Sequence, residues 1–393
     1  MSRLTAELGD ALAARSASGL SRVRRIVEAR DAPRCRVDGR EMLHFGSNDY
    51  LALAQDPRLV EAACEGAARY GVGAAASHLI SGHFQPHESI ERELGRWIAP
   101  CRNARALLFS SGYLANLAIV TALAARDDAV FADRLNHACL NDAALLSRAA
   151  FVRYPHSDVD ALDRRLAASH ARRKLIVTDA VFSMDGDIAP LPRLLQLADA
   201  HDAWLVVDDA HGFGVLGDRH LCGRGALAHF EMSSERIVYM ATLGKAAGVA
   251  GAFVTAHASA IDMLIQTARS YIFTTASPPM LACALEASIA LIKRETSRRA
   301  QLSMLIDRWR TAAKVLPWRL LPSETAIQPL VIGHNEDALR VSAALWDRGI
   351  WVPAIRPPTV PRGSARLRIT LTAAHTADDI DALVAALRGI AAE

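Results

Sequence analysis

The stretch WLVVDDAHGFGVLG, residues 204–217, passes from an unbroken apolar run to two aspartates, a histidine and a glycine-rich turn. A run of that kind suits a strand covered on both faces, as in a largely parallel sheet. Ligands of such sheets sit at the carboxyl ends of the strands, where Asp208, Asp209 and His211 fall. A carboxylate buried there needs a cation. Helix capping accounts for one of the two aspartates but not for both.

Five more apolar runs flank this one: RALLFSS (105–111), DAVFADR (128–134), KLIVTDAVF (174–182), RIVYMATLG (236–244) and GAFVTA (251–256). Helical-period segments such as LPRLLQLADAHD (191–202) separate several of them. The alternation predicts an α/β fold with a large, doubly wound, mostly parallel sheet. TTASPP (274–279) breaks the chain. Beyond it AIQPLVIG (326–333), WVPAI (351–355) and ARLRITLT (365–372) read as strands, with helices at 337–348 and 376–391. The expected organisation is an N-terminal helical arm and segment (1–45), a large α/β domain (46–280) and a smaller C-terminal α+β domain (281–393). Residues 1–30, including SRVRRIVEAR (21–30), read as an amphipathic helix lying on the protein's own surface.

A chain of 393 residues with 51% apolar and 22% charged residues has the composition of an ordinary globular protein. Its net charge of +3 gives no reason to expect a nucleic-acid partner. Cys35, Cys64, Cys101, Cys139, Cys222 and Cys283 are scattered without CxxC spacing, which argues against a disulfide framework or zinc site and fits a reducing cytoplasm. Ala106 to Ala125 is free of charge and long enough to span a bilayer. It contains FSSGYLAN (109–116), however, which reads as strand, turn and helix start, so no membrane span is expected. GVGAAAS (71–77) matches the GxGxxA dinucleotide pattern but follows the helical RLVEAACEGAARY (58–70) where a strand is required. In HFQPHE (83–88) a proline separates His83 from His87, and no metal site is expected.

TLGKAAGVAG (242–251) sets a lysine among glycines and alanines. The chain has four lysines, and Lys174, Lys293 and Lys314 lie in polar surroundings that read as surface. Lys245 alone has a dry, small-residue setting, where desolvation favours the neutral amine that attacks carbonyls. Ser111-Gly112-Tyr113 would present backbone N–H groups at a helix N-terminus, a ready phosphate site. A buried amine for a Schiff base, a strand-end aspartate for a pyridinium nitrogen, a nearby histidine and a phosphate cradle together describe a pyridoxal 5'-phosphate site. Small residues beside Lys245 would let the flat ring and its phosphate approach.

SNDYLAL (47–53), SGYLAN (111–116), DRLNHA (133–138), TDAVFSMDGDIAPL (178–191), VDDAHGFGVLG (207–217), TLGKAAG (242–248), TTASPP and PPTVPRGSARLRIT (357–370) resemble, in this order, motifs of the α-oxoamine synthases. These are fold-type-I pyridoxal-phosphate transferases that condense an amino acid with an acyl thioester, and the resemblance runs from about residue 20 to the end. AIRPPTVP (354–361) and TAIQP (325–329) are similar to the branch of biotin biosynthesis that joins L-alanine to a pimeloyl thioester of coenzyme A or a carrier protein. Glycine-using relatives typically lack an arginine at the position of Arg356.

The resemblance implies a role for each matching residue. Lys245 would be the Schiff-base lysine and proton carrier, Asp208 the partner of the ring nitrogen, and His211 that of the phenolic oxygen. His137 would stack on the ring, with Ser183 also at the cofactor. Gly112, Tyr113 and Thr242 would hold the phosphate, joined by Thr274 and Thr275 from a neighbouring subunit, which implies a homodimer. Asn48 and Arg368 would hold the amino-acid carboxylate, Arg22 and Thr359 match acyl-substrate positions, and Arg22 and Arg356 are the candidates to bind the distal pimeloyl carboxylate. GVGAAAS, the LAL of SNDYLAL, and Cys139 in place of a usual serine depart from the pattern. The alternatives are a sister enzyme using glycine and a non-catalytic regulatory partner of the same fold; intact Lys245 and Asp208 speak against the second.

Overall fold

The computed structural model describes residues 2–217 and 223–393, so Cys222 lies outside the described residues. The chain divides into two compact units. The smaller comprises the residues up to Asn48, Met184–Gly186 and Gln301–Glu393; the larger comprises Asp49–Ser183 and Asp187–Ala300.

The first 48 residues are therefore part of the small unit rather than a separate arm. A helix covers Arg3–Ala17, with no buried residue, and ends before Gly19, whose φ of +64° no continuing helix adopts. The amphipathic helix expected to run on through 21–30 is replaced by extended chain and a strand. β1 (Val27–Asp31) pairs antiparallel with β2 (Arg34–Val37), which pairs with β3 (Arg40–His44). The Asp38 carboxylate fixes this course by accepting from Ile26 N–H (3.1 Å) and the Arg25 guanidinium (2.9 Å). Charge spacing within 21–30 fits either conformation, and a partner twelve residues downstream decides between them.

The larger unit is built on one sheet of seven strands: β4 (Ala104–Phe109), β5 (Ala129–Asp133), β6 (Ala150–Tyr154), β7 (Lys174–Asp179), β8 (Ala203–Asp208), β9 (Ile237–Thr242) and β10 (Ala252–His257). Their order is β4-β10-β9-β8-β7-β5-β6. All neighbours are parallel except β10, which runs antiparallel to β4 and β9. Leu107, Ile119, Val130, Val177, Val206 and Val238 belong to the core on this sheet. The carboxyl ends of β5, β7, β8 and β9 carry Asp133, Asp179, Asp208 and Thr242 in turn. The helix Pro279–Arg294 also belongs here, which moves the division from the expected 281 to 300. It packs on the helix Pro57–Tyr70 so closely that a Cβ on Gly66 would lie 2.9 Å from Met280 Cα.

In the small unit β11 (Arg319–Leu320), β12 (Ile327–Gly333), β14 (Ala354–Ile355) and β15 (Ala365–Thr370) form an antiparallel sheet in the order β11-β12-β15-β14. β13 (Ile350–Trp351) instead joins β3 in parallel, splitting the expected strand WVPAI in two at Pro353, a residue that lacks the N–H a ladder needs. Helices Asn335–Asp347 and Ala377–Ala392 accompany these strands.

Candidate active site

Lys245 lies on the connection between the antiparallel neighbours β9 and β10, closed by Leu243 N–H to Gly251 O (2.8 Å) and Gly248 N–H to Lys245 O (2.9 Å). Its Nζ is 2.8 Å from His211 Nε2, and His211 Nδ1 is 2.6 Å from the Tyr50 hydroxyl. Tyr50 is fully buried and His211 nearly so. The small residues around Lys245 serve two purposes, and ligand access is only one of them. Gly248 (φ +70°) brings the loop against residues 53 and 54, where a Cβ would come within 2.6 Å of backbone atoms, and Ala246 packs on Gly214. Gly244 is exposed, with nothing closer than 3.8 Å to where its Cβ would stand, and it is the position that leaves room for a ligand.

Asp208, at the end of β8, accepts from Ala210 N–H (3.0 Å) and from Asn116 Nδ2 (2.7 Å). On the adjacent strand Asp179 takes the backbone N–H of His137 (2.7 Å). Burial, and then the neighbouring Asp208, push Asp179 well above the usual carboxylate range. His137 caps the helix Ala138–Ser147, its Nδ1 accepting from Cys139 N–H at 3.3 Å and lying 2.9 Å from Cys139 Sγ. Surrounding protein lowers the His137 pKa although the ring keeps an exposed side. Burial, followed by Asp208, pushes the Cys139 thiol up to about 12. Lys245 and Asp208 both act on His137 electrostatically, which places the three in one neighbourhood.

The helix Gly112–Leu123 begins at the end of β4. Ser111 Oγ accepts from Leu114 N–H at 3.3 Å, leaving the Gly112 and Tyr113 amides as the helix's outward donors. The Tyr113 hydroxyl donates to Asp142, while the Thr242 hydroxyl donates to Gly251 O (3.0 Å) and accepts from Gly244 N–H (3.4 Å). Ser183 is half-buried beyond β7. Thr274 is half-buried and Thr275 exposed, on a segment tied down by Ala276 N–H to Ala76 O (2.9 Å) and by His87 Nε2 to Ser277 O (2.9 Å).

Within the small unit Arg368, on β15, is buried and donates to Asn48 Oδ1 (3.2 Å) and Thr370 Oγ1 (3.0 Å). Arg22, Arg356 and Thr359 line a single cavity of about 340 Å³. The Arg356 guanidinium donates to Gly19 O and Ser21 O, whereas Arg22 is exposed.

The model of the family described as aminotransferase class I and II matches residues 40–387. The chain belongs to the class I and II aminotransferase family. It is 57% identical over 391 residues to 8-amino-7-oxononanoate synthase of Nitrosomonas europaea, covering 99% of this chain and all of that one. To the enzyme of the same name from Nitrosospira multiformis it is 58% identical over 383 residues, 98% and 95% of the two chains. Among solved structures, serine palmitoyltransferase of S. paucimobilis with bound PLP superimposes with a TM-score of 0.91 at 28% identity, covering 99% of this chain and 98% of that one. The 8-amino-7-oxononanoate synthase of Francisella tularensis gives 0.76 at 31% identity, covering 89% and 98%. The chain is a fold-type-I, pyridoxal-phosphate-dependent transferase and groups with the 8-amino-7-oxononanoate synthases.

Its donor set fits that cofactor. The Asp208 carboxylate accepts two hydrogen bonds and has lone-pair capacity for a third donor, a pyridinium N–H. Gly112 and Tyr113 offer amides at a helix N-terminus, and Lys245 offers the amine. The motifs left Tyr50, Asn116 and Asp179 unmarked, since each acts through a partner 42 to 161 residues away. Asp209 is a fold residue: its carboxylate accepts from Ala226 N–H (2.7 Å), at the start of the helix Ala226–His229, and from Tyr239 OH (2.8 Å).

His83 and His87, separated by the proline, come together with His78 so that ring nitrogens of all three lie within 4.8 Å of one another. They form a hydrogen-bonded knot: His78 Nδ1 to His83 Nδ1 (2.9 Å), His83 Nε2 to Glu88 (3.2 Å), and His87 engaged by Phe84 N–H (3.0 Å) and Ser277 O. Both nitrogens of His87 are held by backbone, which opposes metal ligation there. Among the described residues no helix is long and apolar enough to cross a membrane.

Proposed function

We propose that the protein condenses L-alanine with a pimeloyl thioester, releasing carbon dioxide and the free thiol and forming 8-amino-7-oxononanoate for biotin biosynthesis. The observation that carries this reading is the Lys245 amine held 2.8 Å from His211 in the electrostatic neighbourhood of Asp208 and His137. High identity to enzymes of that name supports the substrates. Pyridoxal phosphate, when bound, supplies an electron sink for charge developing at the α-carbon of the amino acid. Lys245 would hold the cofactor through its amine, and the same amine would be placed to carry a proton to and from the α-carbon of the amino acid. Asp208 would keep the ring nitrogen protonated, His211 and Ser183 would hold the phenolic side, and His137 would stack on the ring. The Gly112 and Tyr113 amides with Thr242 would bind the phosphate. Arg368 and Asn48, already paired at 3.2 Å, grip the alanine carboxylate.

Thr274 and Thr275 are read as phosphate contacts given to a partner's site, so the working form is a homodimer with shared sites. Exposed Phe273, Val72 and Ile80, on segments joined by the Ala276–Ala76 bond, support a covered surface there. The free cysteines Cys35, Cys64, Cys101, Cys139 and Cys283 suit a reducing cytoplasm.

The test is thiol release from pimeloyl-CoA with alanine, glycine or serine, with the product weighed by mass spectrometry. Alanine should dominate. Preference for glycine with a short acyl-CoA would assign the sister activity, and cofactor binding without turnover would assign a regulatory role. The pimeloyl group carries a distal carboxylate, and Arg22 is the candidate to bind it because Arg356 is engaged by backbone carbonyls. Arg22→Ala should cost about 10- to 100-fold in kcat/KM, from roughly 1.5–3 kcal/mol for a charged hydrogen bond. It should cost little with an uncharged acyl-CoA of equal length. Arg356→Ala should affect both acyl groups alike.

A further inference from the structure

Between Asp208 and His137 runs an unbroken line of hydrogen bonds. Asn116 Nδ2 donates to Asp208 Oδ2 (2.7 Å) and to Cys139 Sγ (3.1 Å), and that sulfur lies 2.9 Å from His137 Nδ1. Asn116 is fully buried and Cys139 nearly so. The amide must turn its N–H groups to the carboxylate, so the sulfur accepts from Asn116 and passes its own hydrogen to His137 Nδ1. Cys139 N–H donates to the same ring nitrogen at 3.3 Å. A nitrogen that accepts twice carries no proton, so neutral His137 carries its proton on Nε2.

We propose that Asn116 and Cys139 are positioning residues of the reaction: they fix the Asp208 carboxylate and lock His137 as the Nε2–H tautomer, a donor presented to bound substrate. The inference rests on the assignment of Asp208 and His137 to the pyridoxal-phosphate site. Burial supports the required protonation states, holding Cys139 as a thiol and His137 neutral. The charges acting on His137 are Asp208, Lys245 and Asp142, and Asp179 accepts its backbone N–H.

The test compares holoenzyme with Cys139→Ala, Cys139→Ser and Asn116→Ala. It reads the visible circular dichroism of the bound cofactor, kcat and KM for alanine, and the pH profile of kcat. Cys139→Ala should lower kcat about three- to tenfold, the worth of one neutral hydrogen bond, with KM within about twofold. Losing a donor to the neutral ring raises the His137 pKa, so its limb of the pH profile should move up and the dichroism weaken. Cys139→Ser keeps donor and acceptor and should restore all three. Asn116→Ala removes two bonds and should lower kcat further while loosening the cofactor. A serine variant as poor as alanine would overturn the proposal in favour of simple space filling. So would a Cys139→Ala enzyme with unaltered dichroism and pH limb, whatever its melting temperature. An unsubstituted enzyme without a visible cofactor band would instead remove the site assignment itself.

Discussion

Asp208 and Asp209 are consecutive, acidic and buried, yet they serve two different regions, because successive side chains at a strand end leave opposite faces of the sheet. Asp208 emerges among Asn116, Cys139 and His137, where capacity for another donor remains. Asp209 emerges on the side of Tyr239 and Ala226, enclosed so tightly that a side chain at Gly212 or Gly225 would overlap its carboxylate. Enclosure, not the number of hydrogen bonds, separates the two carboxylates.

Substitutions should separate the two faces. Lys245→Ala should cost the most, at least about 10²- to 10⁴-fold in turnover, the span of a lost proton-transfer group alone. Borohydride should then no longer fix cofactor to the chain; a covalent adduct persisting in this variant would place the attachment elsewhere. Asp208→Asn should lower kcat by roughly 10²- to 10³-fold with the melting temperature little changed, since an amide cannot hold the ring nitrogen protonated.

Asp209→Asn should do the reverse. Turnover at low temperature should stay near the parent's, while the pH dependence of stability changes. Burial pushes Asp209 up to about 7, above its ordinary 3.8. The folded state therefore holds this proton more tightly than the unfolded chain, and stability should fall as pH rises from about 4 to 7 and then level off. The asparagine variant should lack that slope in denaturant titrations across this range; an unchanged slope would place its source elsewhere. The smallest effect belongs to Tyr50→Phe, which removes the hydroxyl from His211 and should cost about two- to tenfold in kcat. Wild-type turnover would show that His211 needs no orienting partner.

The large sheet was legible because each of six strands carries a continuous apolar run, the mark of burial on both faces. β6 lacks such a run: of its five residues only Tyr154 is fully covered. Residues 21–30 misled because a partner at Asp38, invisible to local periodicity, outweighs helical spacing. At the proposed site, Asp208 and His211 stand out as polar residues at a strand end and Lys245 as a lone lysine among small residues. Tyr50, Asn116 and Asp179 do not, since ordinary polar residues acquire meaning only from partners that the fold brings near. Among the glycines beside Lys245, the sequence does not distinguish Gly244, which faces open space, from Gly248, which makes room for backbone.

The antiparallel placement of β10 beside β9 has a mechanical consequence for Lys245. A parallel neighbour would have required a crossover of a dozen or more residues, usually a helix, free to shift as a body. Here the lysine rides a short clasp stitched to the sheet at both ends. The clasp holds its Cα in place, so movement of the amine would come from rotation about its own four-carbon arm. An amine tethered in this way has a working radius set by the length of its arm.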